Sequence, residues 1–570
     1  MLPQLLRWAY RIYNRQVWKD YLAACADPTG FQRRRLLQII SRNRDTDFGK
    51  RHNFGSIKSI ADFRASVPVR KYSDFQPDIE RIARGEQNVL TAEPVEMFAT
   101  TSGTIDKPKL IPVTQSFYRE FRNVQKLWTW LILNDHVEIL RGSFLTLVSP
   151  EEGGRTEGGI PLGALSGRNY RLQAAVPGQK RLMPAPYQVF AASNFDAKYY
   201  TVLRLAAAQD ISLISIINPS TILLLCRRLE EHAESIIKDV RDGTLAVADE
   251  LEPEILEAVK PSLKKNPRRA RLLQNELDKN GTLNPRRIWP KLALLNCWTA
   301  ASAAHYAEQL KPLFGDLPMR DFGFNASEGY FSIPRRSGYE GGLLAVNGHF
   351  LEFVPYETGG EDITEPVLAC DQLEAGRCYR PIVTTSGGLY RYDIRDVVKV
   401  LDIENGIPVI VFRHRADNTV SLVGEKVTEL QIVMVMQRLS KRHNLVLENF
   451  FATVRRDDVP RYVFAIEPRT EQDGNTLDAI LADADEELKR MNMEYKSKRD
   501  SMRLAEPCLC VLEKGGMEKY RKARVSEGAH DGQIKMLHLT DDANFLKEFN
   551  VSERVASQER TVPITKKAGE

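Results

Sequence analysis

The chain has 570 residues, long enough for two or more domains with cores of their own. Its 43% hydrophobic and 27% charged residues are ordinary for a globular protein, and a net charge of +5 over this length makes no case for a nucleic-acid partner. The basic runs Arg33-Arg34-Arg35 and Lys264-Lys265 to Arg271 have no interleaved aromatics and read as solvated helix faces. Seven scattered Cys argue for reduced thiols and a cytoplasmic protein, with Cys508 and Cys510 on one face of a strand as core residues. The nine His show no metal-ligand spacing.

No apolar run reaches transmembrane length; Leu213 to Cys226 comes closest, and Asn218-Pro219-Ser220 divides it. Met1 to Trp18 has Arg and aromatics inside its apolar pattern and no cleavage site, so it reads as an amphipathic helix, not a signal peptide. No membrane partner is expected.

Residues 1 to about 45 read as helical, broken at Pro28-Thr29-Gly30. Residues 115 to 141 form an amphipathic helix carrying Trp128 and Trp130. Ser143 to Val148 is a strand, and Glu151 to Gly167 a Gly- and Pro-rich loop over a site. Ile211 to Ile217 is a strand, with Asn218 as N-cap and Pro219 at the first position of the next helix. Residues 234 to 287 are helical and charged; strands at Leu292–Trp298 and Met319–Phe324 flank a helix over His305–Leu313. Leu343 to Val354 and Tyr379 to Val400 are strand-rich hairpins. From Asp417 the pattern becomes that of a small α+β domain of about 150 residues. The expected architecture is a large N-terminal α/β domain with a β-barrel-like hairpin portion over residues 1–415, and a small C-terminal α+β domain over 416–570, joined by a hinge.

Three stretches suggest nucleotide chemistry. Phe98 to Thr114 reads FATTSGTIDKPKLIPVT, where hydroxyls, one Gly and Lys107 and Lys109 could wrap a polyphosphate; the plainer reading is a polar turn before a strand. It is not a Walker loop. Asp321 to Phe331 reads DFGFNASEGYF; Glu328 beside Ser327 after a strand suits Mg²⁺ carried on a nucleotide, against a turn with Glu328 solvated. Leu389 to Val400 reads LYRYDIRDVVKV, where Asp396 could accept both ribose hydroxyls, against an exposed, salt-bridged hairpin.

Taken together, these stretches resemble the adenylate-forming superfamily. Within it they are most similar to the Gretchen Hagen three family of acyl acid amido synthetases, auxin-responsive plant proteins with bacterial members. Thr101-Ser102-Gly103-Thr104 and Pro108-Lys109 match the family phosphate loop, with Ile105 and Asp106 in place of a hydroxyl and Gly. Phe324, Ser327 and Glu328 match the second motif, with Asn325-Ala326 between them. Tyr390-Arg391-Tyr392 and Asp396-Val397-Val398 match the third, with Arg395 where the family has Gly. His414 to Val427 is similar to the superfamily hinge motif and contains Arg415 and Asp417; Gly532-Gln533-Ile534-Lys535 resembles the family G-Q-x-K.

The resemblance implies that Thr101 to Thr104 and Lys109 cradle phosphates and that Asn325 and Ala326 line the nucleotide. Phe324 would stack near adenine, Ser327 would meet the α-phosphate, and Glu328 would hold Mg²⁺. Asp396 would take the ribose, Arg415 would meet the nucleotide and with Asp417 flank the hinge, and Lys535 would be the lysine brought by the small domain. It also implies that a small carboxylic acid reacts with ATP·Mg²⁺ to give acyl-AMP and pyrophosphate, and that an amine, such as an amino acid, then takes the acyl group. The acyl pocket would draw on Trp128, Trp130, the loop after Val148 and residues near Trp298. An acyl-CoA ligase and a non-catalytic nucleotide-binding homologue are the alternatives. No G-x-S-x-G elbow supports a serine hydrolase.

Overall fold

A computed structural model describes residues 2–100, 109–176, 180–301, 303–356, 366–416, 419–526 and 537–555. The chain divides into two compact units. The first holds residues 1–355, 364–394 and 398–412; the second holds 356–363, 395–397 and 413–570.

The first unit opens with three helices, α1 (Leu2–Tyr13), α2 (Arg15–Ala26) and α3 (Pro28–Arg42). The break between two helices expected at Pro28-Thr29-Gly30 falls one residue earlier, at Asp27 between α2 and α3. Pro28-Thr29-Gly30 itself forms the first turn of α3, because the Asp27 carboxylate caps the Gly30 N–H and Pro28 occupies a position that needs no donor. A 21-residue helix, Gln115–Asp135, buries Phe117, Phe121, Val124 and Trp128 along one face.

Ten short strands build the site end of this unit: β1 (Met97–Thr100), β2 (Leu110–Val113), β3 (Ser143–Thr146), β4 (Gly154–Arg155), β5 (Pro161–Gly163), β6 (Ile211–Ser215), β7 (Leu294–Asn296), β8 (Met319–Arg320), β9 (Asn325–Ala326) and β10 (Gly329–Tyr330). β3, β6, β7 and β8 form a parallel sheet in that order. β3 stops two residues short of the expected end at Val148. The helix after β6 starts as expected, with the Asn218 carboxamide accepting the Ser220 N–H and Pro219 at its first position. A second sheet runs β2-β1-β5-β4. The stretch Glu151–Gly167 is therefore more than a loop: it supplies β4 and β5, and β5 lies parallel to β1 with Ala99 opposite Gly163.

The hairpin portion is a seven-stranded antiparallel sheet made of β11 (Ser332–Ile333), β12 (Gly342–Leu344), β13 (Phe350–Pro355), β14 (Cys378–Thr384), β15 (Tyr392–Asp393), β16 (Asp396–Glu404) and β17 (Ile407–Arg415). The second unit has its own sheet. Strand Leu447–Arg455 pairs antiparallel with Arg461–Pro468, which pairs parallel with Cys508–Leu512, which pairs antiparallel with Val551–Val555. Alternation sends Phe450 and Phe464 to the core under helices Glu429–Arg442 and Gly474–Met491, and Phe451, Cys508 and Cys510 to the core on the opposite face. Among the described residues no helix is long and apolar enough to cross a membrane.

Candidate active site

The second motif forms a tight hairpin just past β8. β9 and β10 pair Ala326 with Gly329 and Asn325 with Tyr330, leaving Ser327 and Glu328 as the two-residue tip. Asn325 turns its carboxamide back to the Gly323 carbonyl at 3.1 Å, which holds the approach to the tip. The Ser327 hydroxyl donates to the Thr100 carbonyl at 3.4 Å. The tip therefore sits at the end of β1, where the phosphate-loop sequence begins. Thr101, Ser102, Gly103 and Thr104 lie outside the described residues, as do Asp417 and Lys535.

Glu328 is largely buried rather than fully solvated. The residue is 8% exposed, and among the described residues its carboxylate has no hydrogen-bond or ion-pair partner. A carboxylate without a protein partner at a largely buried turn is one that a cation can hold. Its chemistry fits Mg²⁺, which takes one or two protein carboxylates and fills its other positions with phosphate and water. No group of three or more candidate metal ligands occurs among the described residues.

Lys109 emerges on the other side of the loop. Its Nζ donates to the Tyr392 hydroxyl at 3.3 Å and lies 5.4 Å from the centre of the Tyr72 ring and 6.0 Å from that of Tyr392. The Tyr72 phenol oxygen in turn accepts the Leu110 N–H at 2.7 Å. Burial pushes the Tyr72 phenol up to about 12, with Glu328 among the charges that add to the shift. Tyr72 carries no sequence signal for this role; only the fold brings it across 38 residues to Leu110.

Asp321, just after β8, was also not foreseen as a positioning residue. It accepts from the Thr299 N–H at 2.6 Å, the Thr299 hydroxyl at 2.8 Å and the Gly323 N–H at 2.6 Å, pinning the ends of β7 and β8 together. Burial raises its carboxyl above the ordinary range despite these bonds.

Phe324 is 5% exposed and packs against Phe331 at 4.9 Å and Phe412 at 5.9 Å. Trp130 stacks on Trp18 of α2 at 5.1 Å. Trp128 does face the β8 end, stacked on Phe322 at 4.9 Å with its N–H donated to the Asp321 carbonyl at 2.9 Å.

The third motif is buried rather than an exposed hairpin. The Tyr390 hydroxyl donates to the Leu90 carbonyl at 2.7 Å. Arg391 Nε donates to Glu352 at 2.9 Å, and its Nη1 to the Val67 carbonyl at 2.8 Å. In the second unit, Arg415 Nε lies 3.7 Å from Asp396 Oδ1, so two of the residues expected to bind nucleotide are neighbours. Arg395 adopts φ 62°, the left-handed conformation that glycine adopts freely, which is what a family glycine at this position would supply.

Family models match nearly the whole chain: the GH3 family N-terminal domain over residues 18–319, the central domain over 342–415 and the C-terminal domain over 430–544. The chain belongs to the GH3 family. It is 27% identical over 542 residues to indole-3-acetic acid-amido synthetase GH3.8 of Oryza sativa subsp. indica, covering 89% of this chain and 87% of that one. It is 25% identical over 551 residues to jasmonoyl–L-amino acid synthetase GH3.5 of Oryza sativa subsp. japonica, covering 91% and 93%. The solved structure of GH3.15 acyl acid amido synthetase shares the GH3 fold, with a TM-score of 0.82 at 22% identity over 93% of this chain and 95% of that one.

Proposed function

We propose that this GH3 protein is an ATP-dependent acyl acid amido synthetase. It activates a small carboxylic acid as acyl-AMP with release of pyrophosphate, then transfers the acyl group to an amine, foremost an amino acid. Family membership and the amido synthetase names of its relatives support the reaction class. The observation that carries the site is Glu328, a buried carboxylate without a partner among the described residues, held at a hairpin tip tied to the end of β1.

Glu328 would hold Mg²⁺, whose contribution is to neutralise phosphate charge. Lys109, held by Tyr392 and Tyr72, presents a fixed cation beside the phosphate loop. Thr101, Ser102, Gly103 and Thr104 would supply hydroxyls and backbone N–H groups to the same phosphates. Ser327 would orient the α-phosphate, and Asn325 and Ala326 hold the hairpin that carries it. Asp396, set by Arg415, would take the ribose. Asp417 would sit at the hinge, and Lys535 would bring positive charge from the small domain as the carboxylate attacks phosphorus. Most of the rate would come from positioning and charge neutralisation. A cytoplasmic location belongs to the same proposal.

The test is carboxylate-dependent ATP–pyrophosphate exchange across aromatic, indolic and aliphatic acids, followed by product analysis with amino acids or coenzyme A. Exchange with one acid class, and amide plus AMP once an amino acid is added, is expected. Thioester in place of amide would overturn the acceptor; ATP binding without exchange for any acid would overturn catalysis.

A further inference from the structure

The exposed face of α1 is more apolar than its surroundings explain. Leu6 and Tyr10 pack on the core, and the Tyr10 hydroxyl donates to the Lys126 carbonyl at 3.0 Å. Arg11 is taken by Asn134 and lies 5.4 Å from the Trp130 ring centre. The helix is thus fixed to the protein by one side. On the other, Leu5, Trp8 and Ile12 follow one another at helical spacing and are 59%, 61% and 53% exposed, with Leu2 one turn before them. A stripe of this kind in water is an interaction surface.

The charge around it selects the partner. Leu2 to Lys19 contains Arg7, Arg11, Arg15 and Lys19 and no Asp or Glu. Among the described residues Arg7, Arg15 and Lys19 have no ion-pair partner. A second copy packed face to face would bring like charges together. An anionic bilayer surface would meet both features, since leucines and a tryptophan enter the headgroup region while Arg and Lys meet lipid phosphates and carboxylates.

We propose that α1 binds the surface of anionic membranes through Leu2, Leu5, Trp8 and Ile12, in place of the expected absence of a membrane partner. The full-length chain is co-sedimented with vesicles of phosphatidylcholine, alone or mixed with phosphatidylserine. Bound protein should rise at least about fivefold with phosphatidylserine and fall again in high salt. The double variant Leu5→Glu/Trp8→Glu should lose this binding with its melting temperature kept, because both side chains are exposed. The proposal is overturned if the wild type ignores phosphatidylserine vesicles or the variant binds as well as the wild type. It is equally overturned if light scattering finds a dimer that the variant splits while neither protein binds vesicles.

Discussion

Tyr72 and Leu110 meet through a pair of hydrogen bonds, the Leu110 N–H donated to the phenol oxygen at 2.7 Å and the phenol O–H to the Leu110 carbonyl at 3.4 Å. They fix the point where the chain re-enters β2, and the same ring lies under the Lys109 ammonium. Tyr72→Phe keeps the ring and removes the acceptor. A part-buried N–H left unpaired should cost about 1–2 kcal/mol in chemical denaturation. Pyrophosphate exchange should fall about tenfold through loss of Lys109 placement. Wild-type exchange in this variant would detach Tyr72 from the site.

Glu328→Gln removes a buried charge that has no partner among the described residues, so thermal stability should hold or rise by about 1 kcal/mol. Exchange should drop by about 100-fold or more. A large loss of stability instead would assign Glu328 a structural role.

Arg391 belongs to a nucleotide motif by sequence but to the core by position. Its partner Glu352 has a side chain only 1% exposed and also pairs with Arg64 at 2.7 Å. Arg391→Ala should therefore destabilise the first unit by about 3–5 kcal/mol, because a buried carboxylate loses one of its two cations. Arg391→Lys should recover only part, since one ammonium cannot replace the forked guanidinium. Urea titration reads both.

At Arg395 the left-handed backbone sets the tolerance. Arg395→Gly should stay within about 1 kcal/mol of the wild type, whereas the β-branched Arg395→Val should cost about 1–2 kcal/mol more than Gly. Equal stability of the two would show that the backbone relaxes.

His538 supplies a pH dependence in the second unit. It is fully buried, its Nδ1 is 2.8 Å from the Phe450 carbonyl, and burial lowers its pKa from 6.5 to about 4. The folded form binds its proton less readily than the unfolded form. Stability is therefore intact above pH 6.5 and declines as the pH falls from there toward 4, by up to about 3 kcal/mol. His538→Gln should flatten that decline in acid-melting curves; an unchanged slope would place the acid sensitivity elsewhere.

Much of the fold was legible because its signals are local. Asn218-Pro219 announces a helix start within two residues, and the alternation at Cys508 and Cys510 names a core face within three. The candidate site motifs are likewise contiguous runs, and Ser327-Glu328 proved to be one turn. The sequence by itself determined which residue types are available to the chemistry and which segments become helix or strand. Tertiary structure alone decided that Glu328 is buried, that Arg391 serves the core, that Trp130 pairs with Trp18, and that Tyr72 reaches Leu110. Those facts depend on which distant segments share a sheet edge or helix face, and spacing along the chain carries no record of that.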